Sequence, residues 1–359
     1  MNLLDYSLEE LKDYVKNLGF PAFRGKQIFD AMIQGKKLNE VTNIPKDIKE
    51  KIQNDYPAFN VIRKLVSKDG TKKYVFQFPD GEIVESVLLS YEYGNTVCVS
   101  TQVGCRMGCA FCASGINGLI RNLTPGEILE QVIYFNSEEK TKEKVRNVTN
   151  IVLMGSGEPL DNYDNVTKFL RLVSSKDGLN ISQRNISLST SGLAMNIYKL
   201  ADDGFNITLT ISLHAPNDEI RKTIMPVANA FSIDEILKAC KYYFDKTGRR
   251  VIFEYALIKD VNCSDNCIKE LATKLKGLTC HVNLIPLNSV KEKSLDGTTR
   301  KEAYVICGKL EKLGISATVR RTMGEDIEGA CGQLRNKVKS EIEWKVLFIK
   351  KMLTNLAFM

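Results

Sequence analysis

The chain has 359 residues, 43% of them hydrophobic and 26% charged, and carries a net charge of +7. These proportions exclude a disordered or fibrous chain and leave room for one large core with a smaller accessory unit. The first residues lack a basic stretch, and the late apolar residues 344–359 are broken by Lys345, Lys350 and Lys351, so neither a signal peptide nor a membrane span is expected and the cytoplasm is the natural compartment.

Taken in chain order, residues 1–60 read as short helices. Ser7-Leu8-Glu9-Glu10 is a capping-box start, and Pro21 and Gly25 punctuate the helical stretch after it. We expect a small helical accessory domain there. Pro79-Asp80-Gly81 marks a hairpin turn between strand-like residues 73–78 and 82–89, so residues 61–95 read as a β-hairpin extension. The core domain is expected over residues 96–337. Its strand candidates, 96–100, 150–154, 185–189, 207–212, 251–257, 281–286 and 317–320, are rich in Val, Ile and Leu, as in parallel strands covered on both faces. Helical stretches alternate with them, opened by the boxes Thr124-Pro125-Gly126-Glu127 and Ser232-Ile233-Asp234-Glu235. The fold class is therefore α/β. Six or seven strands are too few for a closed eight-stranded barrel, so a partial, open-sided (β/α)6-type barrel is expected. Residues 338–359 form a tail in which Ile342, Val346, Ile349, Leu353 and Leu356 recur at the spacing of an amphipathic helix.

Chemistry in such a barrel sits at the C-terminal ends of the strands. Gly155-Ser156-Gly157-Glu158-Pro159, Ser189-Thr190-Ser191-Gly192, Ser212-Leu213-His214 and Asn288 all fall there. The ten cysteines point the same way, because four of them crowd into residues 98–112. Clustered thiols in a reducing compartment indicate metal or redox chemistry rather than a disulfide framework. Cys105, Cys109 and Cys112 form a CxxxCxxC motif on a loop with Gly104 and Gly108. Three thiolates are one ligand short of a closed site. The open iron of a [4Fe–4S] cluster held this way accepts the amino and carboxylate groups of S-adenosylmethionine (SAM). Electron transfer then cleaves SAM to a 5′-deoxyadenosyl radical, and Phe111 also suits this radical SAM pattern. The competing reading is a zinc site completed by a distant ligand, although a zinc ribbon needs paired CxxC elements. Cys263, Cys267 and Cys280 lack a third close ligand and are read as buried or helix-surface residues.

Charge is patterned as well. Arg63, Lys64, Lys68, Lys72 and Lys73 face only Asp69, and Arg320, Arg321, Arg335, Lys337 and Lys339 gather late in the chain. Such patches suit a phosphate-bearing partner, though a solvated basic face explains them equally well.

Cys98 to Cys105, the Gly-x-Gly-Glu-Pro segment, Ser212 to Asp218, Asn283 to Pro286 and Asp326 to Leu334 together resemble the RlmN-type RNA methyltransferases, in order from about residue 3 to residue 337. The resemblance implies methylation of adenosine carbon 2 in 23S rRNA and beside the tRNA anticodon, with two SAM molecules per turnover. It makes Cys331 the methyl-carrying cysteine and Cys98 the one that resolves a protein–RNA crosslink, ending in a Cys98–Cys331 disulfide. Glu85 matches a proton acceptor, although by alternation alone it is an outward strand residue. SAM contacts carry over to Gly157, Glu158, Ser189, Ser212, Leu213, His214 and Asn288. A low-potential donor of flavodoxin or ferredoxin type and a monomeric state are also expected. Two features depart from the pattern: Ser156 where the family has Met, and the tail beyond residue 337. The alternatives are the sister, Cfr-type chemistry at carbon 8 and a non-catalytic, zinc-dependent RNA-binding protein. Gly-Glu-Pro and Thr322-Met323-Gly324-Glu325 favour carbon 2.

Overall fold

The computed structural model describes residues 2–138, 147–288 and 290–334. The expected tail helix, with Arg335, Lys337 and Lys339, lies outside the described residues. Three helices come first: α1 (Leu8–Asn17), α2 (Phe23–Ile33) and α3 (Lys46–Ile52). The Ser7 box forms as read, with the Ser7 side chain accepting from the Glu10 N–H at 3.3 Å and the Glu10 carboxylate accepting from the Ser7 N–H at 2.7 Å.

Four antiparallel strands come next: β1 (Asn60–Val66), β2 (Lys72–Gln77), β3 (Ile83–Tyr91) and β4 (Gly94–Cys98). Strand β1 was not expected. Its Arg63 and Lys64 interrupt the apolar alternation, and pairing with β2 supplies what the pattern lacks. A short hairpin, β5 (Gln102–Gly104) with β6 (Leu119–Asn122), stands apart as a second sheet.

The rest alternates regularly: α4 (Pro125–Glu138), β7 (Val148–Leu153), α5 (Tyr163–Ser174), β8 (Ile186–Thr190), α6 (Ala194–Asp202), β9 (Thr208–Ser212), α7 (Asp218–Ile224), α8 (Ile233–Thr247), β10 (Val251–Leu257), α9 (Asp265–Leu275), β11 (Cys280–Pro286), α10 (Arg300–Lys312) and β12 (Ala317–Val319). From β4 onward every neighbour in the main sheet is parallel, in the order β4-β7-β8-β9-β10-β11-β12. Six strand–helix steps and a seventh strand make the parallel part of the main sheet, which among the described residues has ten strands and runs from edge strand β1 to edge strand β12. The open, partial-barrel α/β fold expected from the strand count is the one observed. Central strands are buried on both faces, with Ile151, Leu188, Leu209, Ile211, Tyr255, Val282 and Leu284 essentially inaccessible.

One buried carboxyl lies where the N-terminal segment meets the barrel. Glu130 of α4 is 2% exposed and accepts from the Asn2 side-chain amide at 3.1 Å. Burial raises its pKa from 4.5 to about 8, with the Asn2 bond opposing and Glu127 and Asp5 adding to the rise. Arg121 is committed to Glu127 in a two-bond pair and does not relieve it. The folded chain thus keeps a proton that the unfolded chain loses near 4.5. This contribution is fully present below that pH and is lost as pH rises toward 8. Glu130→Gln should flatten the decline and stabilise the protein at pH 8–9 by roughly 1–3 kcal/mol. Thermal melts of both proteins across pH 5–9 check this; parallel curves would refute it.

Candidate active site

The hairpin β5–β6 carries the cysteine motif. Gly104 has φ +78°, and a Cβ there would run into the Gly118 carbonyl, so the strand can turn into the loop only with glycine. The Cys105 N–H donates to the Gly118 carbonyl at 3.0 Å, Cys112 N–H to Cys109 carbonyl at 3.2 Å, and Ala110 N–H to the Ile224 carbonyl at the end of α7 at 2.8 Å. The loop is thereby hung over the C-terminal ends of the parallel strands. Cys105, Cys109 and Cys112 all line one cavity there, of about 890 Å³. Among the described residues no three His, Cys, Asp or Glu side chains converge on a single-ion position. Three thiols ringing a cavity fit a cluster, in which each thiolate takes a different iron. Burial pushes the Cys105 thiol up to about 12 and Cys109 upward as well, so ligation must expel their protons.

Six of the seven positions implied for SAM line the same cavity: Gly157, Glu158, Ser189, Ser212, His214 and Asn288. Gly157 has φ +110°, and a Cβ would collide with Gln102 and Thr101. The Glu158 carboxylate is buried and accepts from Ser191 N–H at 2.7 Å and Leu160 N–H at 3.1 Å. Burial raises its pKa against those bonds, so a cationic ligand group would be welcomed. His214 sits at φ +57° and accepts the Ala256 N–H on Nδ1 at 2.9 Å. Burial drives its pKa down to about 3. The ring is neutral, with its proton on Nε2 as a donor, and it meets the Phe111 ring edge-on at 4.9 Å. Leu213 is not brought to the wall. It is buried, and its carbonyl accepts from Arg221 Nε at 3.1 Å.

A second cavity, of about 580 Å³, contains Cys98, Tyr91, Arg320, Arg321 and Cys331. Met154, Ile285, Asn288 and Cys331 line both cavities and form the partition between them. Asn288 Nδ2 donates to the Cys331 carbonyl at 3.1 Å. The segment around Cys331 is tied down from two sides. Ala113 N–H donates to the Gly332 carbonyl at 2.8 Å and Ser114 Oγ to the Leu334 carbonyl at 2.9 Å, linking it to the cysteine loop. From the turn after β1, Asp69 accepts the Gly324 N–H at 2.9 Å and Ser67 Oγ donates to Asp326 at 2.5 Å. Cys98 and Cys331 are both free thiols in this structure. Burial pushes Cys98 up to about 12, with Cys331 adding to the rise and Arg320 opposing it.

Glu85 is not brought to either cavity. It lies buried on β3, 3.3 Å from Lys73 Nζ, which also donates to the Glu328 carbonyl at 3.0 Å. The carboxylate thus reaches the Cys331 segment through Lys73. This also corrects the reading of Lys73 as part of a solvated basic patch: the adjacent carboxylate draws it inside. Ser156 likewise lines neither cavity. It is buried, and its hydroxyl lies 3.4 Å from Ser114 Oγ, behind the cysteine loop.

Three residues escaped sequence reasoning. Glu254 lines the first cavity, accepts from Ser189 Oγ at 3.2 Å and pairs with Arg320 at 2.7 Å. Arg320, which sequence places among the basic residues of a charged patch, is this half-buried partner. A charge inside the apolar run of β10 was the available signal for Glu254. Arg221 is fully buried and donates to the carbonyls of Ser191 and Leu213, bracing the ends of β8 and β9. Nothing in its local pattern marks it.

Comparison with known proteins agrees with this geometry. Residues 99–275 match the model of the radical SAM superfamily, and residues 1–56 match the ribosomal RNA large subunit methyltransferase N-terminal domain. A protein of Clostridium novyi (strain NT) named "Probable dual-specificity RNA methyltransferase RlmN" is 50% identical over 339 residues, covering 93% of this chain and 97% of the relative. One of Clostridium perfringens (strain 13 / Type A) with the same name is 52% identical, covering 95% and 98%. The chain belongs to the RlmN family. The crystal structure of a radical SAM methyltransferase from Sphaerobacter thermophilus superimposes with a TM-score of 0.89 at 41% identity, covering 93% of this chain and 99% of that one. As a member of this family the chain is a radical SAM methyltransferase that uses a [4Fe–4S] cluster and SAM. Among the described residues no helix is long and apolar enough to cross a membrane.

Proposed function

We propose that this enzyme methylates carbon 2 of adenosine in RNA, at one position of 23S rRNA and at the adenosine beside the tRNA anticodon, with Cys331 as methyl carrier. The observation that carries the reading is the position of Cys331 in the partition between two cavities, one ringed by Cys105, Cys109 and Cys112 and the other containing Cys98. A methyl group on Cys331 would thus face both the cofactor side and the substrate side. When bound, the cluster and SAM supply the methyl group and the radical chemistry that an electrophilic ring carbon requires.

The chain's own residues then have assignable tasks. Cys105, Cys109 and Cys112 hold the cluster. Glu158 receives the SAM ammonium, the Ser189 and Ser212 hydroxyls and the backbone at Gly157 take its polar groups, and His214 Nε2–H donates to an acceptor. Asn288 fixes the Cys331 backbone as well as facing the cofactor cavity. Cys98 resolves the crosslink. Glu85, implied as proton acceptor, acts in our reading through Lys73 on the Cys331 segment. The N-terminal helices bind RNA, a flavodoxin- or ferredoxin-type protein delivers the electron, and the enzyme works as a monomer in the cytoplasm.

The test is anoxic incubation of the reconstituted protein with SAM, a reductant and RNA, followed by digestion and mass spectrometry. The expected product is 2-methyladenosine, and Cys331→Ala yields none. Only 8-methyladenosine would move the enzyme to the sister chemistry. A colourless protein that keeps stoichiometric zinc after reconstitution would overturn catalysis altogether.

A further inference from the structure

We propose that Tyr93, stacked on Tyr91 at the mouth of the Cys98–Cys331 cavity, is a platform for the base next to the target adenosine. The inference rests on the reading that RNA enters this cavity. Tyr91 ends β3 and forms part of the cavity wall. Its ring lies 4.9 Å from that of Tyr93 with only 8° between the planes. Tyr91 pairs with Gly94, so Glu92 and Tyr93 form a two-residue hairpin turn. So short a turn keeps the two rings side by side. Tyr93 is 71% exposed, the largest exposure among the large hydrophobic side chains of the described residues. One of its faces is taken by Tyr91, and the other is turned outward.

A large aromatic ring held flat and exposed costs hydration free energy unless something covers it. At this position the chemistry selects a nucleobase. An adenosine whose carbon 2 reaches Cys331 must be out of its helical stack, which leaves its neighbour unstacked at the rim. Tyr91 and Tyr93 form a stack leading outward from the cavity, and the next layer lies on the outer face of Tyr93. Arg321, exposed on the same cavity rim, supplies the cation for a phosphate between the two nucleotides. Stacking a base on an aromatic ring is tolerant of its identity, which suits an enzyme with two RNA substrates.

The experiment compares wild type, Tyr93→Ala, Tyr93→Phe and Tyr93→Trp by fluorescence anisotropy on an anticodon stem-loop, with carbon-2 methylation measured on the same RNA. Tyr93→Ala should weaken binding roughly 5- to 30-fold, with little change in turnover at saturating RNA, while Phe and Trp retain affinity. RNA made abasic on one side of the target should bind wild type as weakly as intact RNA binds Tyr93→Ala, and the alanine variant should lose nothing further. Unchanged affinity for Tyr93→Ala, or equal losses for both proteins on the abasic RNAs, would overturn the platform while leaving the methylation reading intact. A wild type that makes no methylated adenosine yet still loses RNA affinity on Tyr93→Ala would overturn that reading and support the platform.

Discussion

The Cys98→Ala protein, incubated anoxically with SAM, a reductant and RNA, should accumulate a covalent protein–RNA adduct and release at least about 1,000-fold less methylated RNA. Cys98 ends β4, held in register by Val87 on one side and Val152 on the other, and shares its cavity with Cys331. In the proposed last step the Cys98 sulfur attacks the Cys331 sulfur. The S–S bond forms as the bond from Cys331 to the base-linked carbon breaks. That carbon keeps the electron pair and takes the proton that the Cys98 thiol gives up, becoming the methyl group. The thiol pair is oxidised by two electrons and the carbon is reduced by two, so the enzyme must be reduced before the next turnover. Without Cys98 the carbon remains attached to both the base and Cys331. Because this link is a thioether, the adduct should survive denaturation and thiol reductants, and Cys98→Ala with Cys331→Ala should form none. Normal product with no adduct would remove Cys98 from the reaction.

Much of this arrangement was legible in the sequence, and the parts that were not share a physical cause. The parallel strands announce themselves because each is a short apolar run buried on both faces. Gly157 came from the family resemblance, and the fold supplies its reason, since only glycine fits φ +110° against Gln102. The cysteine loop was readable from spacing because its three ligands are close in sequence. Residues that act through partners distant in sequence were not. Glu254 meets Arg320 across 66 positions and Lys73 meets the Glu328 carbonyl across 255. Both arginine and lysine look like surface charge until the chain folds. β1 was missed for a related reason: its strand character comes from pairing with β2 rather than from its own pattern. The shared role of Cys331, as a wall of two cavities, is a property of packing with no local signature at all.

The Glu254–Arg320 pair is where that packing should have the second-largest effect. Arg320 Nη1 lies 2.7 Å from Glu254 Oε1, and Glu254 is 7% exposed against 25% for Arg320. The Cys331 sulfur, when ionised, pushes the guanidinium pKa up against its burial, and the Glu254 carboxylate adds to the rise. Arg320→Met leaves the Glu254 carboxylate buried without its partner, so stability should fall by roughly 2–4 kcal/mol, the lower part of the range reflecting the partial exposure of the arginine. Methylation should fall further, on the order of 100-fold in kcat/KM. Two things fail together. Glu254 no longer holds Ser189 on the cofactor side, and the cation beside Cys98 and Cys331 is gone. A structural role alone can be separated from this by adding Glu254→Leu. The neutral pair removes the stranded charge and should restore most of the stability, because two apolar residues replace a buried pair at little cost. Activity should not return with it. Denaturant unfolding and RNA methylation measured on the two variants decide the matter: recovery of both would make the pair a packing element, whereas recovery of stability alone makes it the electrostatic partition between cofactor and RNA.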